Sequence, residues 1–174
     1  MTGRLNKKTI IVTGAGSGLG RASAIKLAEE DAQVFCVDVN PETVKETSDI
    51  ITSRGGAASH YQADMCSETD IIAMVTEAEK TFNGIDGLFA NAGIAGTGAA
   101  HETSLEDWDR LIKVSLTGKW LCAKHVIPHF IAKKSGNIVF QSSICALNGF
   151  PKLVAYTAAK GAIAAITRQM ASDY

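Results

Sequence analysis

The stretch that decides the fold is Thr9-Ile10-Ile11-Val12-Thr13-Gly14-Ala15-Gly16-Ser17-Gly18-Leu19-Gly20. Its first five residues, TIIVT, are β-branched and apolar on both sides of the pleat, as a central strand covered on both faces should be. A helical pattern then takes over at Leu19. The glycines between them allow positive φ and leave no Cβ between the backbone and a ligand. Amide N–H groups and the helix N-terminus can then face a diphosphate, where the helix dipole favours negative charge. A glycine triplet alone is often only a strand-to-helix turn. Here a strand precedes it, a helix follows and further βα units continue the chain, which is the context a dinucleotide site requires.

Working outward, short β-rich runs alternate with longer helical patterns. Strands are expected at Thr9–Thr13, Gln33–Val37, Ala57–Tyr61, Gly87–Ala90 and Asn137–Gln141. Helices are expected near Leu19–Glu30, Pro41–Arg54, Ser67–Phe82 and Ser104–Lys134, with a last one from about Ala155. The alternation predicts an α/β fold: a doubly wound, Rossmann-like parallel sheet with helices on both faces, forming one domain over residues 1–174. Asn40 before Pro41 reads as a helix start, and Ser104 with Asp107 resembles a capping box. Pro128 should kink the fourth helix rather than end it. The small, glycine-rich run Gly93–Ala100 reads as a flexible connection beside a binding cleft.

An acidic residue about 20 positions beyond the glycines, at the end of the second strand, is the next expectation of a dinucleotide site. Asp38 stands 18 residues after Gly20. A carboxylate there accepts hydrogen bonds from the adenosine ribose hydroxyls and repels a 2′-phosphate. Neither Ser17 nor Val39 supplies a cation to hold that phosphate, so the sequence favours NAD over NADP.

Tyr156 and Lys160 lie four apart, on one face of the last helix. A tyrosine is a poor base at its reference pKa of about 10, and a nearby ammonium favours the phenolate. Such tuning is what acid/base work near neutral pH needs. A YxxxK by itself is commonly a surface pair on an amphipathic helix.

Together these residues resemble the short-chain dehydrogenase/reductase family, of the classical type, over essentially the whole chain. TGAGSGLG, at residues 13–20, looks like its TGxxxGxG cofactor loop, and Asn91-Ala92-Gly93 like its NAG motif. Ser143 precedes Tyr156 by 13 residues, as the family's catalytic serine precedes its tyrosine. The resemblance implies an oxidoreductase that transfers a hydride between NAD and an alcohol or ketone, the cofactor carrying that chemistry. Tyr156 would exchange the proton, Lys160 would hold the nicotinamide ribose and tune Tyr156, and Ser143 would steady the substrate oxygen. Ser142 is adjacent and could take the place of Ser143. The implied cofactor contacts are Gly14, Ser17, Gly18, Leu19, Gly20, Asp38, Val39, Asp64, Met65, Asn91, Ala92, Gly93, Val114, Tyr156 and Lys160. Asp64 would bind the adenine amino group.

Two departures from the family pattern stand out. Ser115 occupies the place of the family asparagine that helps hold a water behind the lysine, and it is assigned as a fourth catalytic member. The chain also stops at Tyr174, where the family continues with further strands. The expectation is that a C-terminal part lies beyond the sequence given, rather than that the product is truncated, because an unpaired Asn137–Gln141 edge invites aggregation. These departures keep open a second reading, a non-catalytic or truncated dinucleotide-binding protein, since fold alone does not give function.

Composition excludes other classes. Across 174 residues, 17 Lys+Arg against 18 Asp+Glu leave no cationic excess for nucleic acid. No apolar run approaches the roughly 20 residues of a membrane helix, and the N-terminus does not read as a signal peptide. The four cysteines stand 30, 56 and 23 residues apart, without metal-ligand spacing, as in a reduced cytoplasmic protein. His125 and His129 share a helix face, but no third ligand accompanies them, so no metal is expected. The resemblance implies a homodimer or homotetramer, and nothing in the sequence identifies the substrate.

Overall fold

Five strands pair in parallel in the order β3-β2-β1-β4-β5 in a computed structural model that describes residues 3–96 and 98–174. Met1, Thr2 and Thr97 lie outside the described residues, so the expectation for Gly93–Ala100 applies to the rest of that run. The strands are β1 (Thr9–Thr13), β2 (Gln33–Asp38), β3 (Ala57–Gln62), β4 (Gly87–Ala90) and β5 (Asn137–Phe140). All five sit within one residue of expectation at both ends, and β1 and β4 coincide with it; β5 stops at Phe140, one short of Gln141.

Helices α1 (Gly18–Glu29) and α2 (Pro41–Ser53) cover one face, while α3 (Glu68–Phe82) packs on the other. The expected fourth helix is three consecutive segments: α4 (Leu105–Ile112), a π-helical turn (Lys113–Thr117) and α5 (Gly118–Lys133). The chain closes with a 3-10 turn (Ile144–Ala146) and α6 (Val154–Asp173). The wider turn inserts one extra residue into the helical path, a feature that often marks functional sites. Pro128 lies inside α5, which continues past it.

Local chemistry fixes the helix starts. The Asn40 side chain accepts the amides of Glu42 and Thr43 ahead of Pro41. Ser104 Oγ accepts the Asp107 amide and donates to its carboxylate, completing the expected cap. The core divides at the sheet because neighbouring residues of β1 point to opposite faces. Ile11 packs with Phe35, Val37, Ile71, Met74 and Leu88 toward α3 and α5, whereas Val12 packs with Val34, Cys36, Ala24 and Val44 toward α1 and α2. Both faces of β1 are therefore dry. Among the described residues β5 pairs only with β4 and leaves Val139 59% exposed.

Phe35 is the largest fully buried side chain, stacked on Tyr61 at 6.0 Å and edge-on to Phe82 at 6.5 Å. Phe35→Ala should cost about 3–5 kcal/mol, because the cavity cannot close against a parallel sheet. Urea denaturation of the two chains checks this, and a loss below about 1 kcal/mol would contradict the packing described.

Candidate active site

Strand order places the site. β1 has β2 on one side and β4 on the other, so successive crossovers leave it in opposite directions and a crevice opens at its C-terminal end. The crevice is a cavity of about 800 Å³. Gly14, Ser17, Gly18 and Leu19 line it from the first loop, Asp38 and Val39 from the end of β2, and Asp64 and Met65 from the loop after β3. Asn91, Ala92 and Gly93 line it after β4, Val114 from the π-helical turn, and Tyr156 and Lys160 from α6. Residues spread over 147 positions of sequence, Gly14 to Lys160 inclusive, thus meet around one space.

The loop is held open by specific bonds. Thr13 Oγ1 accepts the amides of Asn91 and Ala92, each at 3.1 Å. The Asn91 side-chain amide donates to the carbonyls of Thr13 at 3.1 Å and Gly14 at 3.4 Å. Asp38 accepts the Gly16 amide at 2.9 Å on one oxygen and the Asn40 amide at 3.1 Å on the other. A side chain at Gly18, where φ is +52°, would meet no protein atom and would project into open space beside the cleft. The first amides of α1 have no intrahelical partners, so they remain available to an anion there.

Gly20 does not line the cavity. It is buried beneath the loop, where a Cβ would come within 1.9 Å of the Gly14 carbonyl oxygen, so its part is close packing of α1.

At the other end, Lys160 Nζ lies 5.4 Å from the centre of the Tyr156 ring, one helical turn away. Lys160 Nζ also donates to the Gln141 carbonyl at 2.9 Å, which anchors it to the end of β5. The two adjacent serines differ in what they bond. Ser142 Oγ donates to the Lys160 carbonyl at 2.9 Å, tying the β5 end to α6. Ser143 Oγ accepts the Cys145 amide at 3.2 Å, so its own O–H remains free to donate. Ser143 is half-buried and is not among the residues lining the cavity.

Ser115 sits behind the cavity rather than on its lining. It is fully buried. Its hydroxyl accepts the Ile94 amide at 3.1 Å and lies 3.3 Å from the Ile94 carbonyl, so it fastens the loop after β4 to the π-helical turn.

Sequence reading missed two cationic residues. Arg110 lines the cavity from α4, one turn before Val114, and that spacing was the available signal. Lys119, four residues after Ser115, is 1% exposed, and its Nζ reaches the carbonyls of Ala90, Asn91 and Gln141. Burial first, and then the neighbouring Lys160, pushes the Lys119 amine down to about 7. Burial also lowers Lys160, against a raising hydrogen bond to Lys119. His125 and His129 turn instead to Glu68 and Glu79 of α3, and among the described residues no three His, Cys, Asp or Glu side chains gather to hold a metal ion. No helix of the described residues is long and apolar enough to cross a membrane.

A doubly wound, Rossmann-like sheet with a glycine loop at its switch point defines the class of fold. The profile of the short chain dehydrogenase family matches residues 8–174. The chain is 38% identical over 174 residues to 2-(S)-hydroxypropyl-CoM dehydrogenase 3 of Xanthobacter autotrophicus, covering 100% of this chain and 68% of that protein. It is 34% identical over 175 residues to a cyclohexanol dehydrogenase of an Acinetobacter species, covering 100% of this chain and 70% of that one. The crystal structure of an NAD+-bound xylitol dehydrogenase superposes with a TM-score of 0.95 at 33% identity, over 98% of this chain and 66% of that chain. The chain therefore belongs to the short chain dehydrogenase family, whose members named here are dehydrogenases of alcohols. It spans about two thirds of the length of these relatives.

The depressed Lys119 amine makes stability depend on pH with a defined sign. Between about 7 and the ordinary 10.5, the unfolded chain holds a proton on this amine that the folded chain has released. Stability therefore rises with pH across that window, and the penalty is greatest below 7. Lys119→Met lacks the term. Urea denaturation at pH 7 and pH 10 should show wild type gaining on the variant as pH rises, and an unchanged difference between them would refute the assignment.

Proposed function

We propose that this chain carries the cofactor cleft and the acid/base residues of an NAD-dependent alcohol dehydrogenase or ketone reductase. The observation that carries the reading is the convergence, on one cavity, of the glycine loop with Asp38 at one end and the Tyr156–Lys160 turn at the other. The residues suit a dinucleotide: bare amides at the start of α1, an open cradle at Gly18, and a carboxylate at the end of β2. The bound cofactor supplies hydride exchange at its nicotinamide. Everything else is done by side chains of the protein.

Tyr156 exchanges a proton with the substrate oxygen, and the Lys160 ammonium beside its ring stabilises the phenolate. Ser143, whose hydroxyl proton is uncommitted, donates to the same substrate oxygen and steadies the charge that develops there. Ser142 serves structure instead, because its proton is given to the α6 backbone. Asp38 selects against a 2′-phosphate, and Asp64 and Met65 border the adenine end. Self-association into a homodimer or homotetramer belongs to the same reading, supported by Leu105 on α4 and by Trp120 and Ile131 on α5, which expose apolar surface. A reducing, cytoplasmic setting is supported by four unpaired thiols. Dinucleotide binding without turnover, the reading that Ser115 and the chain's span keep open, is also favoured by the position of Ser143 away from the cavity lining.

Tyr156→Phe tests the catalytic assignment. Turnover across an alcohol and ketone panel should fall by about 10²–10⁴-fold, the usual worth of a general acid or base, while NAD binding measured by calorimetry stays within about twofold. Undiminished turnover would refute the role of Tyr156, and NAD binding by a wild type inactive across the panel would support the non-catalytic alternative.

Asp38→Asn tests cofactor selection separately. The amide oxygen can still accept the Gly16 amide while the negative charge is gone. The wild-type preference for NAD over NADP should narrow by about tenfold, read as the ratio of kcat/KM values, since one removed repulsion is worth about 1.4 kcal/mol. A wild type that prefers NADP would overturn the assignment outright.

A further inference from the structure

Arg110 has no part in the scheme above, yet it lines the cleft. Arg4, Arg21 and Arg54 are each paired with a glutamate. Among the described residues Arg110 makes neither an ion pair nor a side-chain hydrogen bond, and it is exposed. Candidates for a partner stand close by in sequence. Glu106 and Asp107 precede it by four and three residues on α4, the spacings at which helix neighbours pair. Asp107 is engaged by Ser104 instead, and Glu106 takes no cation among the described residues.

The charge of the cleft gives this guanidinium a use. Two carboxylates line the cavity, Asp38 at the end of β2 and Asp64 after β3. A bound dinucleotide adds the negative charges of its diphosphate. Against these, the start of α1 offers only partial charge, equivalent to about half an elementary charge. Lys160 is the other cation on the lining, and it is held by the Gln141 carbonyl beside the Tyr156 ring. Arg110 is therefore the uncommitted full positive charge of the cavity wall among the described residues. Its wall is the right one. The glycine loop leads into α1, on one face of the sheet, whereas α4 continues through the π-helical turn into α5, which packs with α3 on the other face. A diphosphate resting on the α1 amides turns its remaining oxygens away from them, toward the side from which α4 comes.

We propose that Arg110 is a cofactor-binding residue of this cleft: its guanidinium pairs with the diphosphate of the dinucleotide from the α4 wall, across from the glycine loop. The inference rests on the proposed dinucleotide cleft and adds to it a full charge that the glycine motif does not contain. A guanidinium offers paired N–H donors to phosphate oxygens, where a lysine would offer a point charge.

The test measures binding of NAD and ADP to the full chain by calorimetry, and of adenosine by NMR titration. ADP keeps the diphosphate without the nicotinamide, and adenosine has neither. In Arg110→Gln the dissociation constants of NAD and ADP should each rise by about tenfold, the low end for a charge-assisted bond because Arg110 is exposed. Adenosine should stay within about twofold, which a merely structural role for Arg110 would not allow. Arg110→Lys should recover part of the loss, since it keeps the charge but not the fork. Arg168→Gln removes the same charge from an exposed position of α6 outside the cavity lining, and it should change none of the three. Unchanged ADP binding in Arg110→Gln, an equal loss for adenosine, or an equal loss in Arg168→Gln overturns the inference. A wild type that binds none of the three ligands would remove the dinucleotide reading and this inference together. NAD bound equally well by wild type and Arg110→Gln would remove the inference alone, so the two failures are distinguishable.

Discussion

Thr13 and Asn91 join the ends of β1 and β4, and the site depends on that junction. In a parallel pair the two strands finish side by side, so their next residues compete for the same space. Here Thr13 gives its hydroxyl oxygen to two amides of the β4 loop, and Asn91 returns its own amide to two carbonyls of the β1 loop. The exchange satisfies backbone groups that the ladder no longer pairs. It also turns both chains outward and leaves a crevice between them. Without it, the glycine loop would have no fixed height above the sheet and α6 nothing constant to face.

How much of this was legible follows from what each residue does locally. The strands were readable because dry β-branched runs between turn residues have few alternative uses, and the ends of β1 and β4 coincide with expectation. The caps at Asn40 and Ser104 were readable because a side chain bonding two or three residues ahead is a short-range event. The π-helical turn was not. Its sequence, KVSLT, has ordinary helical character, although within it Ser115 bonds the loop after β4 and Val114 lines the cavity. Periodicity reports which side of a helix is apolar but not a local change in pitch.

The site shows the same division more sharply. Tyr156, Lys160 and Asp38 were found because their spacing from other motifs carries information, and all three line the cavity. The Ser115 hydroxyl bonds the Ile94 backbone, which sequence could not foretell, since it does not tell whether a hydroxyl points into a cleft or back at a loop. Lys119 was passed over because a lysine in KWLCAKHV reads as solvated surface beside Lys124. Only the convergence of β4 and β5 on α5 reveals that its amine ends among carbonyls. Burying it is costly, and carbonyl dipoles offset that only in part.

The glycine loop shows why folding and binding requirements should be argued apart even within one motif. Gly20 is required by the protein itself: a Cβ there would collide with the Gly14 carbonyl and the Asn91 amide before any ligand arrived. Gly18 meets no such obstacle, and the protein constrains it only through its left-handed backbone, which asparagine or aspartate tolerates best among the other residues. Within eight consecutive residues, then, one glycine is fixed by the packing of α1 on β1 and another only by its left-handed backbone. A motif match weighs the two equally, whereas the contacts around each separate what the chain needs to fold from what it needs to bind.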